Sequence, residues 1–357
     1  MSGVLRKMAP EGVRLLRAML TYRTSPMATF NRYWDLYRHR SFAPDEIHFF
    51  QLLDPRLNGD DLRRVVSKEE LLQLQLRLND PRLHALTEDK LRFHAHCRAH
   101  RLPTPEILAL YDADGRVDES IETVRTPDEV DAFLEHAKAQ SLIFKPVNGV
   151  NGEGVTRLQR TDGAWRDTAG KEMGGKHLAD LAASWGYRRW MFQELVQGHP
   201  DLCALSRTTG LQTVRVITAV ESDRTVKILA MRLRLICSDV AFDNFNYGTT
   251  GNVIANVDVS TGEIFSVVSN DRGLLRFVEN HPRTGERLLG YKVPGWSSAR
   301  ALAERAALAF LPLKTVGWDI AIALPEPALI EGNVTWGILS GEPRLGEIYR
   351  YLQTLLP

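Results

Sequence analysis

The residues best suited to chemistry gather in two stretches. In IFKPVNGVNGEGV, residues 143–155, Lys145 stands just ahead of a loop with three glycines, Gly149, Gly152 and Gly154, and two asparagines, Asn148 and Asn151. Asn-Gly pairs are strong turn signals, so a plain hairpin is one reading. The other is a loop laid over phosphates, with backbone N–H groups and the Lys145 ammonium as donors. The second stretch is VGWDIAIAL (316–324) followed by PALIEGNVTWG (327–337). Asp319 heads one apolar strand, and Glu331 and Asn333 close the next. Residues two apart share a strand face, and Pro325, Glu326 and Pro327 make a connection short enough for the two strands to pair. Two carboxylates and one amide oxygen converging beside a phosphate loop suit Mg²⁺. That ion is hard and is usually held by one or two carboxylates plus substrate phosphates.

The surrounding periodicity says what must position these groups. Residues 1–85 read as mainly helical, broken at Pro26, Pro44, Pro55 and Pro81. Ser67 caps a helix over 67–78, with Glu70 as its capping-box partner, and Thr87 is the expected cap of a helix over 87–102. A strand at 105–115, a helix at 126–140 and the strand of Lys145 follow. RWMFQELV (189–196) is a strand, strands dominate 212–268, and 297–311 is a helix. The pattern is a mixed α+β protein with at least two lobes.

The 357 residues are 44% hydrophobic and 25% charged, the balance of a soluble globular protein, and the net charge of +1 gives no polyelectrolyte signal for nucleic acid. Residues 1–40 are the exception, with eight Lys or Arg against two acids. Val4, Leu5, Met8, Leu15, Leu16, Met19 and Leu20 are spaced loosely as an amphipathic helix there. A packed helix with a solvated basic face is the expected state, with contact to an anionic membrane surface or partner as the alternative. Pro10 and Gly12 are expected to interrupt the pattern. No apolar run is long enough to span a bilayer, and no signal peptide is evident. Cys97, Cys203 and Cys237 lack zinc or redox spacing, which predicts buried thiols in a reducing cytoplasm. His94, His96 and His100 read as a solvated helix face.

The ordered set Lys90, Lys145 with its glycine loop, QELV (193–196), Arg215, Asp319 and Glu331-Gly332-Asn333 resembles the ATP-grasp superfamily. The stretches TVRVITAV, AMRLRL, DNFNYG, HPRTG, VPGW, VGWDIAI and LIEGN are similar to its sugar-transfer-associated branch, which includes α-L-glutamate ligase-like proteins and is linked to cell-surface polysaccharide loci. The resemblance covers roughly residues 85–345. It implies an ATP-grasp fold: a helical region at 1–85, a small ATP-binding lobe at 86–190 and a larger lobe at 191–357 carrying the metal strands. A Walker A loop fits poorly, because no Gly-Lys-Ser/Thr follows these glycines, and the glycine spacing is wrong for a dinucleotide fingerprint.

By the same resemblance, Lys90 and Lys145 touch the nucleotide phosphates and the loop of Asn148, Gly149, Asn151, Gly152 and Gly154 closes over them. The segment Gln193, Glu194, Leu195 and Val196 holds the adenine edge through the backbone of Glu194 and Val196, and Asp201 takes the ribose. Asp319, Glu331 and Asn333 hold two Mg²⁺ ions, with Mn²⁺ an alternative. Arg232 and Arg234 share a strand face and, with Arg215, are candidate donors for a carboxylate or phosphate. A basic residue commonly stands two positions before the first metal acid in such ligases; here that position is Gly317, so Arg215 and Arg234 are the substitutes. Asn244 lies in a polar loop, 243–252, that reads as facing the acceptor. The implied activity is a cytoplasmic, ADP-forming carboxylate–amine ligase working through an acyl phosphate. Its substrates would be a small-molecule carboxylate and an amine or hydroxyl acceptor. Kinase-like transfer on the same fold and a non-catalytic nucleotide-binding regulator are the alternatives.

Overall fold

The computed structural model describes residues 2–115, 120–149, 154–238, 243–337, 342 and 344–356, with side chains from Glu11 onward. Asn151 and Gly152 lie outside the described residues. Helices lead the chain: α1 (Ser2–Tyr22), α2 (Pro26–His39), α3 (Pro44–Phe49), α4 (Gly59–Arg64), α5 (Lys68–Leu78), α6 (Ala85–Glu88) and α7 (Lys90–Ala99). Pro10 and Gly12 do not break α1. The Ser67 hydroxyl accepts from the Glu70 amide and the Glu70 carboxylate accepts from the Ser67 amide, closing the capping box of α5. The cap of α7 is Asp89, whose carboxylate accepts from the amides of Leu91 and Arg92. Thr87 instead ends a separate short turn, its hydroxyl donating to the His84 carbonyl. A carboxylate both accepts the orphan amides and favours the positive end of the helix, so it outcompetes the hydroxyl two residues earlier.

The next layer is β1 (Ile107–Asp112), β2 (Thr123–Val124), α8 (Pro127–His136), β3 (Ser141–Pro146), β4 (Thr156–Thr161), β5 (Ala164–Arg166), α9 (Gly175–Trp185) and β6 (Arg189–Glu194). Its sheet runs β2-β1-β6-β3-β4-β5, antiparallel except for β1 with β2. Phe144, Trp190 and Phe192 stack on one face against Val130 and Phe133 of α8 and Leu178 and Ala182 of α9. Strand alternation puts Lys145 on the opposite face. Gly154, at φ +68°, passes so close to Trp190 that an added Cβ would stand 2.5 Å from its ring, so this position requires glycine for both shape and backbone angle.

The second sheet follows: α10 (Pro200–Ser206), β7 (Thr213–Val220), β8 (Val226–Leu235), β9 (Val253–Val257), β10 (Ile264–Asp271), β11 (Leu274–Phe277), α11 (Trp296–Ala309), β12 (Thr315–Ala321), β13 (Ala328–Asn333) and α12 (Leu345–Gln353). Its order is β11-β10-β9-β8-β7-β12-β13, antiparallel throughout. Val214, Val216, Leu233, Val316 and Trp318 bury one face under α11 and α7. The other face is divided: Ile217, Ala219 and Ala230 pack under α5, α12 and Trp336, while the stretch beside them carries charge. The chain thus spends apolar side chains where helices cover the sheet and polar ones where they do not.

Candidate active site

Register assembles a single polar row. Ser266, Asn256, Arg232, Arg215, Asp319 and Glu331 are successive cross-strand partners from β10 to β13, so all six side chains share one face of the sheet. Arg215 donates to both oxygens of Asp319, from Nε at 2.5 Å and from an Nη at 2.6 Å. Arg234, two residues along β8, also reaches both oxygens, at 3.1 and 3.0 Å. These four bonds bring the lone pairs of a buried carboxylate under the Arg215 fork and a single Nη of Arg234. Burial alone would raise the Asp319 pKa, but Arg215 and Arg234 hold it well below the ordinary carboxylate range. Arg234 is raised in turn: burial works against its charge, and Asp319 and Asp243 overcome it.

Glu331 has the opposite bias. Burial and the neighbouring Asp319 charge push its pKa up, although Arg215 lies 3.8 Å away. Asn333 donates weakly from its amide nitrogen to the Gly317 carbonyl and to Glu331, both at 3.4 Å. Arg232 is the most enclosed of the three arginines. It donates from Nε to Asn256 at 3.0 Å, and burial beside Arg215 and Arg234 brings its pKa down to about 9. An added Cβ at Gly317 would come within 2.8 Å of Trp336 Cβ and 3.1 Å of Ile217. That space excludes a basic side chain two positions before Asp319.

Two lysines approach this row, one from helix α7 and one from β3 of the other sheet. Lys90, the first residue of α7, donates to the carbonyls of Val147 at 3.2 Å and Gly149 at 2.6 Å. Its pKa is lowered by burial. Lys145 is also desolvated and sits beside Lys90; together these bring its pKa down to about 8, with Glu331 pulling the other way. Among the described residues the Lys145 ammonium has no hydrogen-bond or ion-pair partner. The loop from Asn148 is described as far as Gly149 and again from Gly154. Glu194 ends β6, its amide already donating to the Glu106 carbonyl, and Leu195 and Val196 follow half-buried. The buried Gln193 side chain bonds to the Pro105 carbonyl. Asp201 is exposed in the first turn of α10, 3.8 Å from His199. Asn244 is half-buried, its carbonyl accepting from Thr250 and Asn252.

The structure adds groups that the sequence reading passed over. Asp243 accepts from the Thr213 amide and hydroxyl, both at 2.6 Å, and lies 3.7 Å from Arg234. Burial raises its pKa. Asn256 bonds both Arg232 and Ser266. A lone asparagine inside the apolar run VIANV was a visible signal, since an unpaired buried amide is costly. His94 and His96 are not a solvated face: His94 is buried and His96 packs on Phe310 while bonding the Ala309 carbonyl. A cavity of about 670 Å³ lies beside β1, β2 and α8, bounded by Leu108, Val124, Phe133 and Lys138. Of the candidate residues, only Glu194 lines it.

The carboxylate and amide oxygens of Asp319, Glu331 and Asn333 are of the type that suits a hard divalent cation, while in this structure both Asp319 oxygens are engaged by Arg215 and Arg234 and the Asn333 amide nitrogen is turned to Glu331.

Solved structures with a similar course include biotin carboxylase of Campylobacter jejuni bound to β,γ-ATP, at 11% identity and TM-score 0.43, matching 77% of this chain and 47% of that one. D-alanyl-alanine synthetase A of Vibrio cholerae matches at 12% and 0.45, over 78% of this chain and 68% of that one. N5-carboxyaminoimidazole synthase of Aspergillus clavatus matches at 12% and 0.42, over 82% and 59%. The chain therefore spans about half the length of the first of these. No curated protein matches it. The family described as "Sugar-transfer associated ATP-grasp" matches residues 70–342, most of the sequence. On that match, the chain belongs to the sugar-transfer-associated ATP-grasp family.

Proposed function

We propose that the protein is an ATP-dependent, ADP-forming ligase that activates a small-molecule carboxylate as an acyl phosphate and passes it to an amine or another nucleophile. A cell-surface polysaccharide precursor or a related small molecule, met in the cytoplasm, is the proposed substrate. The observation that carries this reading is the single row Arg232–Arg215–Asp319–Glu331 with Lys90 and Lys145 opposite it. A carboxylate attacking a triphosphate brings two anions together, so dense, preorganised positive charge is what the reaction needs. Lys90 and Lys145 would contact the phosphates, with residues 86–190 and 191–357 as the two lobes. Glu194 and Val196 would border the adenine, and Asp201 the ribose. Arg215 and Arg234 would steady the carboxylate and the transferred group, and Arg232, held by Asn256, would orient the acid. Asp319, Glu331 and Asn333 would hold Mg²⁺, which when bound neutralises phosphate charge. The protein need supply no covalent nucleophile.

The test is incubation with ATP, Mg²⁺ and pooled acids and amines, followed by ADP release and a mass shift. Amine-dependent ADP release with a condensed product is expected. Phosphorylation of a hydroxyl compound without any amine requirement would replace the ligase with a kinase. Tight ATP binding with no turnover across the pools would favour a nucleotide-binding regulator.

A further inference from the structure

Helices α1 and α2 are apolar on two sides. On α1, Leu15, Ala18 and Tyr22 turn inward to a small core with Leu36, Phe42 and Ile47. Val13, Leu16 and Leu20, at spacings of three and four, lie on the opposite side, with Leu20 72% exposed. On α2, Tyr33 and Leu36 face that same core. Met27, Phe30, Trp34 and Tyr37 line the outer side, Met27 being 69% exposed and Trp34 47%. Of the thirteen large apolar side chains left exposed among the described residues, seven fall between 13 and 37. A solvated helix ordinarily turns polar residues outward, so scattered exposure does not explain this concentration.

What borders the stripe selects its partner. Arg17, Arg23 and Arg38 are exposed in the same hairpin. Phe30 and Trp34 stack with centroids 6.0 Å apart, and the Arg38 guanidinium sits 5.7 Å over the Trp34 ring. Of the two acids in residues 11–40, Glu11 is paired with Arg14 at 2.7 Å, which leaves Asp35 as the exposed negative charge. A second copy docking through this face would set arginine against arginine. An acidic protein would match the charges but not a continuous row of leucine, methionine and aromatic rings. An anionic bilayer surface takes both: aromatic and aliphatic groups enter the headgroup–acyl boundary, and arginines meet lipid phosphates. No helix among the described residues is long and apolar enough to cross a membrane, so the contact lies in the plane of the surface.

We propose that the α1–α2 hairpin seats the protein on anionic membrane, with Leu16, Leu20, Met27, Phe30 and Trp34 as the inserted stripe and Arg17, Arg23 and Arg38 as its phosphate contacts. Co-sedimentation of the full chain with vesicles tests it, using phosphatidylcholine alone and phosphatidylcholine mixed with an equal part of phosphatidylglycerol. Binding to the mixed vesicles and little to the neutral ones is expected, weakening as salt rises about fivefold. Phe30→Glu with Trp34→Glu, and separately Arg17→Gln with Arg23→Gln and Arg38→Gln, should each lower the partition coefficient at least about tenfold. Because these side chains are exposed, both variants should keep the parent melting temperature. Full chain left in the supernatant with both vesicle types would overturn the proposal. Folded variants that bind as the parent does would overturn it as well. A dimer in sedimentation velocity that Phe30→Glu and Trp34→Glu dissociate, without vesicle binding, would assign the face to a second copy.

Discussion

The arginines and the lysines of the candidate site are kept in opposite states. On the larger sheet, Arg215 and Arg234 converge on Asp319 through four hydrogen bonds, so positive and negative charge are already paired inside the protein. At the lysines, Lys90 of α7 rests on the backbone carbonyls that follow β3, and Lys145 of β3 is desolvated beside it, its pKa down at about 8. The difference follows from residue chemistry. A guanidinium keeps its proton when buried and offers a planar fork that matches a carboxylate. An ammonium is a point charge that loses its proton more readily when water is removed. The arginine side is therefore a structural frame with chemical capacity. The lysine side holds cations that no hydrogen-bonded carboxylate neutralises among the described residues, so an anion placed there would meet charge still unpaired.

The sharpest way to break this contrast is to remove the frame's anion. Asp319→Asn leaves two buried guanidinium groups without their shared counter-ion. That should cost about 3–5 kcal/mol of stability, read by chemical denaturation without ligands. Read from sequence alone, Asp319 is a metal ligand whose amide replacement spares the fold; its arginine partners reverse that expectation. A loss under about 1 kcal/mol would mean the pair is not the frame. Glu331→Gln is the counterpart on the same row. Its carboxylate is already biased toward the neutral form by burial and by Asp319. An amide of equal shape should leave the melting temperature unchanged or raise it slightly. Turnover of ATP should fall by roughly 10²–10³, the scale for removing one preorganised charge stabiliser. Near-normal turnover would remove Glu331 from the metal reading.

How far the site was legible depends on range. Strand alternation put Glu331 and Asn333 on one face, and a short connection allowed Asp319 to meet them, because both facts are local. The pairing of Arg215 and Arg234 with Asp319 joins residues 104 and 85 positions apart, and no local pattern carries that. The same holds for Gly317, whose lack of a side chain is explained only by Trp336 and Ile217 packing across it. The helical start was readable, but its outer face was not. Periodicity finds apolar positions on α1 and α2 without saying which of two stripes the core will cover. Pro10 and Gly12 suggested an interruption because propensity counts against them, yet the helix continues through both.

The lysine side yields smaller effects and a sharper assignment. Lys145→Met should weaken binding of a non-hydrolysable ATP analogue by about 1.5–3 kcal/mol, the scale of a charge-assisted hydrogen bond, in isothermal titration. Unchanged affinity would reduce Lys145 to a strand residue. Its effect on stability should oppose that of Asp319→Asn, because no partner is orphaned and a desolvated charge is removed.

The last expectation concerns pH. The Lys145 pKa lies near 8, lowered by burial and by Lys90. A phosphate beside it favours the charged form, so the pKa in the complex must be higher than in the free protein. Below about pH 8 the ammonium is present in both states, and affinity is at its full value. As pH rises through that value the free protein loses its proton and binding must recover one. Affinity should then fall by up to about tenfold per pH unit until the pKa of the complex is reached. Titrations between about pH 7 and 10, with the proton taken up measured from buffers of different ionisation enthalpy, follow this directly. Lys145→Met should flatten the curve in that range. Lys90 is also shifted downward by burial, which makes the outcome decisive between them. A drop that persists in full in Lys145→Met and disappears in Lys90→Met would transfer the titrating role to Lys90.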